Sequence, residues 1–213
     1  MKYEAEIREL LINNAIQLIA EGGFEKATTK ELAHCGNQTS NFKMNEAYIY
    51  RTFGSKEKLY EAAFLTLENE LYHALNVCVT EEFAVERDMG QTWERIYERA
   101  WAFLKRNEAR CRCYVRYYYS IYFRGASLEL HREHFDKVLV SSGLSSVFLA
   151  EADVRSIMRS VFTALLDFAI RVYNGELADS EVNRRHIFNV LYCMMSSYLK
   201  EEARCDTGRI RTI

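Results

Sequence analysis

The stretch NEAYIYRTFGSKEKL, Asn45–Leu59, decides the fold of this chain. Asn45 is a good N-cap, because its side chain can accept from a free N–H of the first turn. A short helix is expected over about 45–52, stopped by Gly54-Ser55. Ser55 then caps a second helix. There Leu59, Ala63, Leu67, Leu71, Ala74, Leu75 and Cys78 recur at helical spacing as one stripe. The short helix has polar and aromatic residues to turn outward: Glu46, Tyr48, Tyr50 and Arg51.

Upstream, Ile7, Leu11, Ala15, Leu18 and Ile19 mark an amphipathic helix that ends at Gly22-Gly23. Phe24 and Ala27 point back into a small core. Thr28-Thr29-Lys30-Glu31 resembles a capping box, with Thr28 bonding the N–H of Glu31 and Glu31 reaching back. A short helix follows over about 29–35. Three short helices make a marginal core alone and need the helix from Ser55 to complete it. Two short crossed helices, the second with exposed polar and aromatic residues, are the layout of a helix-turn-helix. Turns in that motif normally run to about 3–4 residues. The nine residues from Gly36 to Met44 exceed this by about six. A longer loop adds little closure entropy, so the helices can still pack if Ala33 and Ile49 face the core. Gln38, Asn41 or Lys43 of the loop could add contacts, or the loop could hinder docking or be disordered.

The whole chain has 213 residues, 49% of them hydrophobic and 27% charged, with a net charge of −2. That suits a globular chain with a sizeable core and excludes a basic nucleic-acid coat protein. Proline is absent, which favours an all-helical chain. Six cysteines occur without CxxC pairs, and no signal peptide or membrane-length apolar run is present. Reduced, buried thiols in a cytoplasmic protein are expected, and the sequon Asn37-Gln38-Thr39 is then a coincidence. Downstream, further helices are expected around Trp93–Leu104, around Tyr114–Tyr122 up to Gly125, over Leu128–Val140, and over about 152–173 and 181–203. Ser141-Ser142-Gly143 reads as a linker. No strand pattern, repeat or low-complexity tract is found. The chain divides near residue 55 into three short helices and a bundle of five or six long ones.

The segments AIQLIAEGGFEKATTKELA (15–33) and AYIYRTFGSKEKLYEAAF (47–64) resemble the N-terminal domain of TetR-family transcriptional repressors. The resemblance covers residues 7–64 apart from the loop. Beyond it the chain matches only in being helical. It implies an all-α fold, with a three-helix helix-turn-helix DNA-binding head over 1–54 and a larger helical bundle for ligand binding and dimerisation over 55–213. It also implies site residues. Thr29 and Lys30 would contact phosphate or a base. Asn45, Glu46, Ala47 and Tyr48 would lead the recognition helix into the groove. Tyr50 would donate to a phosphate, Arg51 would reach a base edge or a phosphate, and Lys56 would hold the flanking backbone. The residue types agree independently, since phosphates take Lys, Thr, Tyr and free N–H groups, and base edges take Arg, Asn or Glu. The plainer reading is that Tyr48 and Tyr50 cover the small core and Arg51 is a solvated charge. Residues 1–60 hold eight Lys/Arg and eight Asp/Glu, while 43–58 hold four against two, a local +2.

A half-site reader calls for a dimer, and the helices over about 152–173 and 181–203 have apolar residues beyond what one face needs. The alternative is burial within one subunit. Trp93, Tyr97, Trp101, Tyr117, Tyr118, Tyr122 and Phe162 are the candidate ligand pocket, against simple core packing. Glu129, His131, Glu133, His134 and Asp136 read as a solvated helix surface in preference to a metal site, and no metal is expected. No HExxH, P-loop, GxSxG or Rossmann fingerprint occurs, so neither enzyme activity nor a cofactor is expected. The chain thus reads as a ligand-released DNA-binding repressor whose partners are a double-stranded DNA operator, a small effector and a second copy, with no membrane. The alternative is a ligand-binding or interaction module whose DNA binding is lost or altered by the long turn.

Overall fold

The structure, a computed structural model, describes residues 2–34, 44–85 and 88–205. Its helices are α1 (Lys2–Lys26), α2 (Thr29–His34), α3 (Ala47–Phe53), α4 (Lys56–Phe83), α5 (Met89–Arg106), α6 (Glu108–Tyr118), α7 (Ala126–Ser141), α8 (Val154–Tyr173) and α9 (Glu181–Ser196). Short 3-10 turns occupy Leu144–Val147 and Glu201–Ala203. The described residues contain no strand, only an isolated antiparallel bridge between Phe148 and Leu199. The all-α expectation holds.

The chain packs as two compact units. The first comprises Met1–Glu70 and Asn107–His131, the second Leu71–Arg106 and Arg132–Ile213. This division by packing runs elsewhere than the boundary near residue 55 expected from the sequence. In the first unit α1 lies against α6, and the Arg116 guanidinium donates to the Ile19 carbonyl at 2.7 Å. Gly23 takes φ 74°, a left-handed conformation that breaks α1 where the sequence suggests. The three short helices do not close a core alone. Tyr60 and Phe64 of α4 are fully buried with them, and Phe64 stacks on Tyr117 of α6 at 4.5 Å. Tyr60 donates its hydroxyl to the Ala27 carbonyl at 2.5 Å.

The second unit has its own core, built on Trp93, Phe135, Phe148, Phe188 and Tyr192. The Trp93 indole N–H donates to the Ala203 carbonyl at 3.0 Å, which ties the C-terminal turn to α5. Asp153 caps α8 by accepting from the Ser156 N–H at 3.1 Å, and Ser180 caps α9 by accepting from the Asn183 N–H at 3.2 Å.

Four expectations are corrected. The helix through Tyr114 stops at Tyr118, well before Gly125, and Ile121 is exposed. Ser120 breaks it: its hydroxyl donates to the Tyr117 carbonyl at 2.7 Å and accepts the Tyr122 N–H at 3.1 Å. The last long helix ends at Ser196 instead of about 203, because the backbone beyond it pairs elsewhere. Leu149 N–H donates to the Tyr198 carbonyl at 2.8 Å, and Lys200 N–H donates to the Val147 carbonyl at 3.0 Å. Ser142 is buried and donates to the Val138 carbonyl at 2.6 Å, so 141–143 is a packed turn and not a linker. Cys78, Cys111, Cys113 and Cys205 are free and buried, but Cys193 is exposed. Cys35 and the sequon lie outside the described residues.

Candidate nucleic-acid interface and ligand cavity

Local chemistry sets α2 and α3. The Thr28 hydroxyl accepts the Glu31 N–H at 3.2 Å. The returning arm of a capping box does not form here, since the Thr28 N–H donates to the Lys26 carbonyl at 2.9 Å. Buried Asn14 donates to the Leu32 carbonyl at 2.9 Å, meeting an orphan acceptor at the end of α2. Ala33 and Ile49 are fully buried, as expected. The Asn45 side chain accepts the Ala47 N–H at 3.1 Å, one residue earlier than a cap of the helix as bounded here. Gly54 at φ 82° closes α3 by donating its N–H to the Tyr50 carbonyl at 2.9 Å. The Ser55 hydroxyl then accepts the Lys58 N–H at 3.2 Å and starts α4.

This places the expected DNA-contact residues on the surface of the first unit. Ala47, Tyr50 and Arg51 are exposed on α3, opposite buried Ile49. Tyr50 is 53% exposed, which is unusual for so large an apolar ring. The Arg51 guanidinium lies 4.6 Å above the half-buried Tyr48 ring, a cation–π arrangement that aims a flexible side chain. Asn45, Glu46 and Lys30 are exposed and Thr29 is half-buried. Lys56 rests against the Tyr60 ring at 5.7 Å. The Thr29 hydroxyl donates to the Glu46 carboxylate at 2.9 Å, which joins the start of α2 to the start of α3. No sequence pattern signals this bond between residues 17 apart. The Arg51–Tyr48 stack was legible in principle, since residues three apart share a helix face. Gly36–Lys43, including Gln38, Asn41 and Lys43, lie outside the described residues.

The aromatic set parts into three groups. Trp93, Tyr97 and Phe162 line a cavity of about 120 Å³ in the second unit, together with Met158, Val161 and Phe188. An apolar cavity of about 150 Å³ holds one benzene, so this space suits a single ring or a short chain. The Tyr97 hydroxyl is buried without a hydrogen-bond partner, at a cost of about 1–3 kcal/mol. Burial pushes its pKa above the usual tyrosine range. Trp101 stacks on Tyr97 at 6.0 Å but faces a charged cleft of about 680 Å³ between α5 and the start of α9. Tyr117, Tyr118 and Tyr122 instead pack in the first unit. Tyr122 meets Phe24 at 4.8 Å and Tyr118 meets Phe123 at 4.6 Å. Helical spacing shows that α6 has an aromatic face but not what that face meets.

Among the described residues no His, Cys, Asp and Glu cluster could hold a metal. His131 departs from the expected solvated surface. It is buried, with Nδ1 2.9 Å from the Glu68 carboxylate of α4, itself fully buried. Periodicity could not reveal that pair, whose members are 63 positions apart.

Residues 11–63 match the model of the family described as bacterial regulatory proteins, tetR family. No curated protein matches the chain as a sequence. Among solved structures, the chain resembles a TetR-family transcription regulator from Marinobacter aquaeolei VT8 (14% identity, TM-score 0.69, 91% of this chain and 98% of that one). It also resembles a protein of unknown function from Rhodococcus sp. RHA1 (14%, TM-score 0.63, 91% and 96%). A third is the TetR-family transcriptional regulator PfmR from Thermus thermophilus (18%, TM-score 0.55, 85% and 96%). At these identities the structural likeness speaks for the fold, and the head carries the family assignment. The chain thus carries, over 11–63, a head that matches the tetR family of bacterial regulatory proteins, on an all-helical fold shared along most of its length with solved TetR-family regulators.

Proposed function

We propose that the protein is a sequence-specific DNA-binding transcriptional repressor, released from its operator by a small molecule. The observation that carries the reading is the outward face of α3, where Tyr50 stands in solvent and Arg51 is held over Tyr48, while Ile49 on the same helix is fully buried. Thr29, Lys30, Tyr50 and Lys56 hold phosphates in this reading. Asn45, Glu46, Ala47, Tyr48 and Arg51 meet the groove. The Glu46 carboxylate already accepts from Thr29, so its first role is to set the helix pair, and its remaining lone pairs are available to a cytosine amine.

Residues 1–54 are the reading head and 55–213 the effector and dimer part. Two copies pair through α8 and α9, where Ala164, Phe168 and Ile170 are half-exposed and Val182 is 73% exposed. The effector site is the cavity of Trp93, Tyr97 and Phe162. A ligand there shifts a two-state equilibrium of the long helices, and the two heads leave half-site register. The protein works in the cytoplasm, by binding and not by catalysis. No described helix is long and apolar enough to cross a membrane.

The test is fluorescence anisotropy with the DNA upstream of the protein's own gene. Sequence-selective binding that weakens steeply with salt is expected. A folded protein that binds no such DNA would sink the repressor reading and favour an interaction module with an altered head. The long turn between α2 and α3 motivates that second reading. Deleting Gln38–Lys43 separates the two roles of the turn: unchanged affinity makes it passive, and lost affinity makes it a contact.

A further inference from the structure

The apolar cavity and the charged cleft of the second unit share a wall. Tyr97 of α5 and Phe188 of α9 line both spaces, with ring centroids 5.7 Å apart. Both are residues with rotatable side chains common to the two linings, so a change of their rotamers is the route by which the spaces can join. On the cavity side the wall meets Trp93, Val161 and Phe162.

On the cleft side three donors converge on one carboxylate. The Trp101 indole N–H donates to Asp179 at 3.2 Å, and Lys105 Nζ and Arg184 Nε each lie 3.4 Å from its oxygens. Charge-assisted bonds run to about 2.7–2.9 Å, so both cations are held loosely. The other cleft carboxylates are disposed differently. Glu94 takes Arg185 at 2.5 Å, Glu98 takes Arg95 at 3.0 Å, and Glu181 stands in the first turn of α9. Arg106 is exposed, with no ion pair among the described residues. Beside this cluster the Tyr97 hydroxyl is sealed from solvent and donates to nothing. The cleft thus has more donors than tight acceptors, and the cavity behind it has none of either to offer beyond its tyrosine hydroxyls.

We infer that cavity and cleft form one bipartite site for a small anionic amphiphile. Its apolar body, about one aromatic ring in size, lies in the cavity behind Tyr97 and Phe188. Its carboxylate lies in the cleft, accepting from Lys105, Arg184, the Trp101 indole and the freed Tyr97 hydroxyl. Asp179 holds those donors in the empty site, as an internal stand-in for the ligand's charge. This assignment rests on the cavity being the effector site and adds the ligand's chemical class and its entry side.

The experiment is isothermal titration calorimetry on the full-length protein, without DNA. The probes are hydrocinnamate, hydrocinnamyl alcohol and phenylpropylamine, which share one body and differ in charge. Hydrocinnamate binds at least about tenfold tighter than either, the scale of one hydrogen bond to a charged group. Lys105→Ala, a change at a part-exposed position, removes that preference and leaves the alcohol unaffected. Val161→Phe fills the cavity and removes binding of both. Tyr97→Phe weakens the carboxylate several-fold with little effect on the alcohol, and stands in should Val161→Phe fold poorly. Equal binding of acid and alcohol, stronger binding of the amine, or no binding of any probe overturns the inference. Adding hydrocinnamate to the DNA-bound protein separates the two readings. Binding without DNA release leaves the bipartite site standing and overturns its role as the effector switch.

Discussion

Arg51 is pre-aimed. A free arginine loses much rotamer freedom on binding, and the Tyr48 ring 4.6 Å below its guanidinium removes part of that loss beforehand. If Arg51 reads a base edge, Arg51→Ala costs about 1–3 kcal/mol and relaxes preference at one operator position. Tyr50→Phe weakens all sequences alike, because a phosphate contact carries no sequence information. Anisotropy against a set of single-base operator variants separates the two. A different prediction attaches to Glu68 and His131. Removing either partner takes away one buried hydrogen bond, at about 1–3 kcal/mol. Glu68→Ala and His131→Ala each lower the urea midpoint markedly, and the double change costs less than the sum. Residues of this second kind were not legible. His131 sits among Glu and Asp on a polar stretch, and only its partner on α4 shows that it faces inward.

The helices were legible where their ends are local chemistry. Gly23, Thr28, Gly54 and Ser55 each act on a backbone group within four residues, and each sits where the sequence places it. The ends of α6 and α9 were misplaced. Ser120 turns the chain through two bonds at once, and Leu199 leaves its helix for Phe148, about fifty positions upstream. Gly54→Ala tests the local kind. A Cβ there meets nothing within 4 Å, so the cost is the left-handed backbone alone, about 1–2 kcal/mol. It is read as a lower melting temperature with the far-UV helix signal kept. Buried thiols give a pH signature. Burial pushes Cys78 up to about 11 and Cys113 up to about 12, from an ordinary 9.0. Below pH 9.0 the thiol is protonated whether the chain is folded or not, and stability is flat. Above it the unfolded chain releases protons first, so stability falls as pH rises towards about 12. Cys113→Ala flattens that fall in urea titrations.

For the molecule as a whole, the head was readable because it is built from short, ordered signals, while the cavity was only half readable. Trp93 and Tyr97 share one face of α5, and only folding brings Phe162 of α8 to them. The cleft residues Asp179, Arg184 and Phe188 carry no motif. The proposed pairing of two copies through α8 and α9 has a thiol reporter. Cys193 is exposed on α9, and the other described thiols are buried. In a Cys35→Ser background, a disulfide reagent labels Cys193 slowly at concentrations where the dimer forms and faster on dilution. Fast labelling at every concentration places the dimer contact elsewhere.

The Thr29–Glu46 bond has a practical consequence. With Asn14 holding the end of α2 and Ile49 buried beneath α3, the bond fastens the two helices from both sides. These contacts set the mutual placement of the two helices through residues outside 36–43. That makes 36–43 a grafting position: a short epitope or fluorophore-binding tag inserted after Asn41 leaves the melting temperature of the protein unchanged. The accessibility of the tag with and without operator DNA then shows whether this stretch of chain meets DNA.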